Sequence, residues 1–250
     1  MRYFLIFSYN GAAYHGWQIQ PNCISVQKVM EEALEKILRV KTPLTAAGRT
    51  DTGVHARYMA AHFDTGEPIS DKIEFLKRLN SILPSDIAIE KVLRVNDDAH
   101  ARFDALYRTY HYYITDTKNP FGGQYSCRYY GDMDFTAMNA AALCLKNYTD
   151  FTSFSKLHTN TVTNNCKIYV AYWERYDNDW RFVIRADRFL RNMVRAVVGT
   201  LLQVGRGKLT VDGFCEVIEA KDRCRAGTSV PANALFLVDV GYPEDFFNCS

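Results

Sequence analysis

Apolar positions follow two different periods along the chain, and this pattern predicts a succession of strands and helices. The first nine residues are mostly apolar and aromatic, which is typical of a strand. From Val26 to Leu38 the apolar residues recur at helical spacing, with Ser25 placed as the N-cap. The first half further predicts a turn over 47–53, a strand over 58–63, a helix over 73–83 capped from Ser70 or Asp71, and a strand over 87–92.

The second half of the chain repeats the order of strands and helices. Aromatic and β-branched residues dominate 107–114 and predict a strand. Asp134 is placed to cap a helix over 135–146, and the polar segment 147–165 predicts a loop. The remaining predictions are strands over 167–176 and 180–186 joined by a tight turn, helices over 189–204 and 211–220, and a strand over 234–240.

This order of elements predicts an α+β fold with two similar lobes. We expect residues 1–103 to form one lobe and residues 104–250 the other, both contributing strands to a mostly antiparallel central sheet. Helices would pack on that sheet, and a cleft between the lobes would be the natural place for a site. The two halves share the order of elements and no repeated sequence.

The composition is typical of a soluble globular protein. Of the 250 residues, 48% are hydrophobic and 23% charged, and no apolar run reaches the roughly eighteen residues of a membrane span. The apolar N-terminal stretch is too short for a signal peptide, so we expect a cytoplasmic protein. The seven cysteines are scattered without a C-x-x-C pair, which indicates reduced thiols and neither a zinc site nor a disulfide framework.

Charge and aromatic content leave nucleic-acid binding open. The net charge is only +2, but a nucleic-acid enzyme needs a basic surface and not a basic total. Aromatic residues make up 14% of the chain, so rings for base stacking are available even if most belong to the core.

The densest polar cluster is the segment 47–55, in which two glycines bracket an arginine, an aspartate and a histidine. Glycines permit positive φ and close approach of a ligand to the backbone. Arg49 and Asp51 are two positions apart and would point to the same side of an extended segment. On these residues alone, an aspartate that merely caps its own turn is the better interpretation.

An aspartic protease is a second interpretation of this cluster, because Asp51-Thr52-Gly53 is followed by a second copy at 64–66. Such proteases need two of these loops facing each other so that their carboxylates share a proton. The copies here are separated by a predicted strand, which would hold the carboxylates apart. The spacing therefore argues against a protease.

The surrounding sequence resembles the tRNA pseudouridine synthase A family. Segment 47–56 matches the catalytic loop of that family, which usually reads A-G-R-T-D-x-G-V-H-A. The other matching positions are Tyr9-Asn10-Gly11, Tyr14, Gly16-Trp17-Gln18, Gln20-Pro21, Val26-Gln27, His100-Ala101-Arg102-Phe103, Ala105-Leu106-Tyr107-Arg108, Tyr110, Tyr112, Arg185-Ala186, Phe189 to Arg195, Val198-Gly199, Pro231-Ala232 and Leu235 to Val240. The matches run in order along nearly the whole chain. Thr52 stands where many members have Ala, and Asp104 where many have Ser.

The resemblance implies an isomerase that converts uridine to pseudouridine in tRNA, nominally at positions 38, 39 and 40 of the anticodon arm. Asp51 would be the nucleophile, Tyr110 would stack on the target base, and Arg195 would be the basic partner of the aspartate. Arg49 would help to extrude the target nucleotide, a step that any enzyme acting on a stacked base requires. The family forms homodimers, which implies a homodimer here.

The remaining implied site residues are substrate-binding. They are His100, Arg102, Phe103, Arg108, Arg191 and Leu235, with Lys167 as a further candidate for phosphate contacts. We expect Arg191 to share a helical face with Arg195, because the two are four positions apart in a predicted helix. Uracil is retained in the reaction, so we expect no metal and no other cofactor. An alternative from another class is a catalytically silent RNA-binding protein on the same fold, although a binding protein has no need of the Asp51 carboxylate.

Overall fold

Within residues 1–156 and 163–247, the residues that this computed structural model describes, the chain forms nine strands and five α-helices. The chain divides into two compact units, one made of Met1–Leu106 with the described part of Leu237–Ser250, the other of Tyr107–Phe236. The elements are β1 (Arg2–Tyr9), α1 (Val26–Leu38), β2 (Thr45–Ala46), β3 (His55–Asp64), α2 (Lys72–Ile82), β4 (Ile87–Arg94), β5 (Tyr107–Thr115), β6 (Cys127–Arg128), α3 (Phe135–Cys144), β7 (Ile168–Tyr176), β8 (Asp179–Ala186), α4 (Met193–Gly205), α5 (Val211–Glu219) and β9 (Leu235–Gly241).

The first unit is organised around β1, which pairs antiparallel with β3 on one side and β4 on the other. Its apolar run is explained by this central position, since Phe4, Leu5 and Phe7 are fully buried. The two-residue strand β2 adds to the β3 side. Helix α1 begins where Ser25 caps it by accepting a hydrogen bond from the Lys28 N–H.

The second unit contains an antiparallel β5-β8-β7 arrangement, with β6 pairing parallel to β5. Helix α3 packs against β7 and against the helices α4 and α5. Aromatic contacts fix α3 on the strands, because the Phe135 ring stacks on Trp180 with centroids 3.5 Å apart. Helix α4 is buried along almost its entire length, as expected for a helix that is apolar on every face.

The predicted α+β class with mostly antiparallel strands is confirmed, and most predicted elements lie within two residues of their observed bounds. The prediction for 147–165 was incomplete, because Thr152–Phe154 form a 3-10 turn flanked and filled by the fully buried rings of Phe151 and Phe154. Residues 157–162 of that segment lie outside the described residues. The predicted helix over 135–146 ends at Cys144 and continues as a 3-10 turn, Leu145–Asn147.

The prediction of a helix over 189–204 was wrong at its start, since α4 begins only at Met193. Asn192 has a φ of 66°, in the left-handed region, and this conformation interrupts the helix. Its side chain donates to the Ser229 hydroxyl over 2.6 Å, a tertiary contact that the local pattern does not contain.

Among the described residues, none of the helices is long and apolar enough to cross a membrane.

Candidate active site

The loop that carries Asp51 connects β2 to β3 and is closed by its own backbone. The Val54 N–H donates to the Asp51 carbonyl over 3.1 Å, and Gly53 adopts a φ of 77°. At the other end of the loop, the Ala47 N–H donates to the Ala60 carbonyl over 2.8 Å. Within this frame Asp51 is half-buried and Arg49 is exposed, so both residue types that the sequence singled out border the solvent.

The segment from Tyr9 to Trp17 holds the residues on both sides of Asp51. The Tyr9 hydroxyl and the Thr50 hydroxyl are hydrogen-bonded at 2.7 Å, and the Trp17 N–H donates to the Thr50 carbonyl over 3.2 Å. On the other side, the Gly53 N–H donates to the Tyr14 carbonyl over 3.3 Å. Backbone groups and buried side chains therefore fix the residues on both sides of Asp51.

The buried ring of His55 adds a second tie between these segments. Its Nδ1 accepts a hydrogen bond from the Gly11 N–H over 3.0 Å, and the ring is only 2% exposed. Gly11 has no room for a side chain, since an added Cβ would collide with the Val54 carbonyl. Residues 9–17 and the loop that carries Asp51 are thus two parts of one packed structure.

Gly16 offers a test of how strongly this packing positions the loop. Its φ is 86°, and an added Cβ would lie 2.5 Å from the Thr50 carbonyl oxygen. We expect Gly16→Ala to destabilise the protein by about 1–3 kcal/mol and to lower activity by displacing the loop, although no chemical group is lost. Thermal unfolding combined with an activity assay measures both effects.

The matched control is Gly66→Ala, because an added Cβ there meets no atom within 4 Å and the φ of Gly66 is not positive. We expect its unfolding free energy to change by less than about 0.5 kcal/mol. A Gly16→Ala protein as stable and as active as the Gly66→Ala protein would show that the contact between Gly16 and the loop is dispensable.

The two Asp-Thr-Gly copies lie at different ends of one strand. Asp64 is the last residue of the ten-residue strand β3, whereas Asp51 precedes the first. At about 3.3 Å per residue, the strand alone separates them by roughly 30 Å. Asp64 is engaged elsewhere, since Arg2 donates to both of its carboxylate oxygens at 2.8 and 2.9 Å and holds its pKa below the ordinary value. Two carboxylates this far apart cannot share a proton.

Tyr110 and Arg195 belong to the second unit. Tyr110 lies on β5 opposite Ile184, is 9% exposed, and its ring meets Phe189 edge-on with centroids 5.1 Å apart. Arg195 lies in the first turn of α4, half-buried, where its Nε donates to the Val230 carbonyl over 2.7 Å. The Val230 N–H in turn donates to the Arg195 carbonyl, so the arginine and the 227–230 loop are tied in both directions.

Tyr112 and Tyr107, two further tyrosines of β5, differ in their burial. Tyr112 is fully buried and donates to the Pro231 carbonyl over 3.0 Å. Burial raises the pKa of its hydroxyl, while the charge of Arg195 acts in the opposite direction. Tyr107 is half-buried beneath the guanidinium of Arg185, 4.3 Å from the ring centroid. Both residues therefore have packing partners in the second unit.

Arg191 does not share a helical face with Arg195, which corrects the expectation from their spacing. Arg191 precedes the left-handed Asn192 and lies outside α4, so the helical periodicity does not apply to it. Its side chain is exposed, and its carbonyl accepts a hydrogen bond from the Lys156 N–H over 3.2 Å. Of the two arginines, α4 therefore contains only Arg195.

The other residues predicted to contact the substrate from the second unit have different surroundings. Arg108 is 9% exposed, and its Nη1 donates to the Asp187 carbonyl over 2.8 Å, which gives it a structural contact. Lys167 is exposed, with its ammonium 5.7 Å from the Tyr169 ring centroid. Leu235, the first residue of β9, is 5% exposed and belongs to the core.

His100, Arg102 and Phe103 are brought together in the first unit, in the segment between β4 and β5. The His100 Nδ1 accepts hydrogen bonds from the Arg102 N–H and the Phe103 N–H over 3.1 and 3.3 Å. Burial and the nearby Arg2 lower the pKa of His100, so its ring is neutral at pH 7. His100 therefore shapes this loop through its Nδ1, and its contact with the substrate stays a prediction, whereas Arg102 is exposed.

Sequence reasoning missed several residues that build the site from a distance. Tyr14 donates to the Asp86 carboxylate over 2.6 Å, and burial with this hydrogen bond raises the pKa of its hydroxyl. His62 lies on β3 and accepts from the Ala101 N–H over 3.0 Å. The local signal for His62 was its polar side chain within an otherwise apolar strand.

Among the residues described in the structure, no group of three or more His, Cys, Asp or Glu side chains is arranged to hold a metal ion.

Known proteins resemble this chain over nearly its whole length. A family model described as tRNA pseudouridine synthase matches residues 5–104 and 148–243. A Parabacteroides distasonis protein named tRNA pseudouridine synthase A is 58% identical over 246 residues, covering 98% of each chain. A Bacteroides fragilis protein with that name is 59% identical over 249 residues, again with 98% of each chain covered. A Geobacter protein with the same name is 38% identical over 245 residues, covering 96% of this chain and 98% of its own.

Proposed function

Because this chain belongs to the tRNA pseudouridine synthase family, we propose that it converts uridine to pseudouridine in tRNA, with Asp51 as the nucleophile. The resemblance inferred from the sequence is thereby confirmed at the level of the family. One observation carries the assignment of the nucleophile. Asp51 borders the solvent in a loop, and hydrogen bonds fix the residues on both sides of it.

The chemistry suits a single carboxylate. Pseudouridine formation breaks the bond between N1 of uracil and C1′ of ribose, turns the base, and joins C5 to C1′ while C5 loses its proton. Asp51 attacks either C1′ or C6 of the ring and is released when the new bond is complete. Hydrolytic glycosidases generally use two carboxylates because one must assist with water, but here the base itself is recaptured and no water is consumed.

The other proposed roles follow from the kinds of side chain available. Arg49, exposed beside Asp51 in the loop, assists extrusion of the target nucleotide by filling its place or holding a phosphate. Arg195 supplies a fixed positive charge, and Tyr110 stacks on the uracil and assists proton movement. Arg102, Arg191 and Lys167 are exposed cations that contact phosphates, which makes substrate affinity depend on salt.

The finer parts of the proposal concern the substrate and the assembly. We place the target uridines in the anticodon arm, nominally at positions 38, 39 and 40, and the enzyme in the cytoplasm as a homodimer. The reaction needs neither a metal nor an organic cofactor. Light scattering of the purified protein tests the dimer directly, since a mass equal to one chain would contradict it.

The experiment that tests the activity is tritium release from tRNA labelled with 5-[³H]uridine. We expect the protein to release tritium in the presence of EDTA, because C5 loses its hydrogen when it bonds to C1′ and this step needs no metal. A transcript with cytidine at positions 38, 39 and 40 should release none. Absence of release from the unaltered tRNA, with binding retained, would favour a catalytically silent RNA-binding protein.

Tyr110→Phe separates the ring from the hydroxyl. The edge contact with Phe189 involves only the ring, so the variant keeps this contact and its ability to stack. We expect kcat to fall by roughly 100-fold, at the lower end for a positioned proton-transfer group, with KM changed by less than about threefold. Steady-state kinetics of tritium release provide both constants. Wild-type kcat in this variant would leave Tyr110 as a stacking surface alone.

A further inference from the structure

The Phe103 side chain is exposed to solvent on a well-supported loop. It is 74% exposed, yet its neighbour His100 packs against it with ring centroids 4.2 Å apart and an interplanar angle of 32°. A single exposed apolar side chain on a protein surface needs no explanation. The feature that requires one here is the number of buried contacts that fix the segment beneath it.

Two histidines build that support from inside the first unit. The His62 ring, 6% exposed on β3, meets the His100 ring edge-on at 4.8 Å and stacks against Phe4 at 5.8 Å. Its Nδ1 accepts from the Ala101 N–H, while the His100 Nδ1 accepts from the Phe103 N–H. Each imidazole therefore fixes the backbone of the loop and, through ring contacts, the orientation of Phe103.

Further hydrogen bonds remove the remaining freedom of the segment. The Asp104 carboxylate accepts from the His100 N–H over 2.7 Å, and the Tyr242 hydroxyl donates to the Ala101 carbonyl over 2.6 Å. Arg2 donates to the Ala99 carbonyl over 3.0 Å. A loop whose backbone is hydrogen-bonded at each of residues 99–103 presents its exposed ring at a fixed angle, at little entropic cost on binding.

The charges around the ring suit a nucleotide. Burial, with Arg2 nearby, lowers the pKa of His62 to about 4, and the pKa of His100 is also lowered, so the two imidazoles are neutral at pH 7. The guanidinium of Arg102 lies 5.8 Å from the Phe103 ring centroid. An exposed aromatic ring with a cation nearby suits a base and the phosphate attached to it.

We propose that Phe103 is a stacking platform for an unpaired nucleobase of the RNA substrate, with His62 and His100 as positioning residues and Arg102 as its phosphate contact. This inference rests on the proposed function, since it takes RNA as the ligand. It adds a binding contact to that function, and Phe103 takes no part in the chemistry at Asp51. Stacking on an aromatic side chain is tolerant of base identity, so the platform fixes the position of the RNA and does not read its sequence.

The first test compares Phe103→Leu with Phe103→Tyr in steady-state pseudouridine formation. Loss of one stacked base weakens binding roughly 5- to 100-fold. We expect Phe103→Leu to raise KM within that range with kcat nearly unchanged, and Phe103→Tyr to restore the wild-type KM because it keeps the ring. Phe121→Leu is the matched control, since Phe121 is 93% exposed in the other unit and has no place in the proposed platform.

The second test observes the stacking itself. Anticodon stem-loop RNAs carrying 2-aminopurine at one loop position at a time are titrated with the Asp51→Asn protein and its Phe103→Leu derivative. Stacking on the ring quenches 2-aminopurine, so at least one position should be quenched by the former and much less by the latter. His62→Phe, which keeps a ring but loses the acceptor for Ala101, should reduce the quenching without changing kcat.

The outcomes separate this inference from the proposed function. Wild-type pseudouridine formation with equal KM for Phe103→Leu and wild type, and with no loop position that depends on Phe103 for quenching, overturns the platform and leaves the activity intact. Equal losses in Phe103→Leu and Phe121→Leu also overturn it, because they would reflect loss of any exposed ring. Absence of pseudouridine formation by the wild type contradicts the proposed function instead.

Discussion

Asp51→Asn is expected to abolish pseudouridine formation while leaving tRNA binding largely intact. Asparagine has nearly the same shape but cannot act as a carboxylate nucleophile, and loss of a central catalytic group lowers turnover by roughly four orders of magnitude. The loop should persist, because the substitution leaves in place the hydrogen bonds of Thr50, Gly53 and Val54 that hold it. Tritium release, a binding titration and thermal unfolding on the same preparation measure the three properties.

Asp64→Asn is the matched control for this substitution. It changes the second Asp-Thr-Gly copy, whose carboxylate pairs with Arg2 and is 58% exposed at the side chain. The cost to stability should be at most about 1 kcal/mol, as for other exposed ion pairs, and turnover should stay at the wild-type level. Near-normal turnover by Asp51→Asn would exclude Asp51 as the nucleophile, whereas equal losses in both variants would indicate a structural effect of removing a carboxylate from this unit.

The elements that the sequence predicted well are those whose signals are local. Helix α1 was predicted with its observed bounds because its cap, its apolar period and its end all lie within the segment. The two-residue strands β2 and β6 escaped prediction because each exists only through pairing with a longer strand. The start of α4 was misplaced because Asn192 turns left-handed through a contact with Ser229, 37 residues further along the chain.

The candidate site shows the same division. Asp51 and Arg49 could be chosen from the sequence because a motif of known chemistry surrounds them. The support for their loop could not, because apart from the Tyr9 hydroxyl it comes from backbone groups of residues 11–17, whose hydrogen bonds depend on the fold. His62 was missed for a related reason: its position in an apolar strand is that of a core residue, and only the paired loop reveals what its ring nitrogen accepts.

Arg195 is the residue at which the second large effect is expected. Its Nε is committed to the Val230 carbonyl, and a guanidinium retains two further NH₂ groups with which to donate. Fixed donors and charge aimed at a reacting group contribute about 100- to 1,000-fold to turnover. We therefore expect Arg195→Ala to lower kcat by that factor. Thermal unfolding must accompany the kinetics, because the buried Val230 carbonyl loses a donor as well.

Arg195→Lys distinguishes the charge from the geometry. Lysine keeps a positive charge but is a single point donor, so it cannot both hold Val230 and present a second, fixed donor. Recovery of stability without recovery of kcat would locate the catalytic contribution in the geometry of the guanidinium, and recovery of both would locate it in the charge.

Arg191→Ala is the control for both variants. Because Arg191 is exposed and lies outside α4, its loss should raise KM modestly and leave kcat unchanged. If Arg195→Ala behaved like Arg191→Ala, with wild-type kcat, Arg195 would be a structural residue of the second unit and the positive charge used in the reaction would have to come from another side chain.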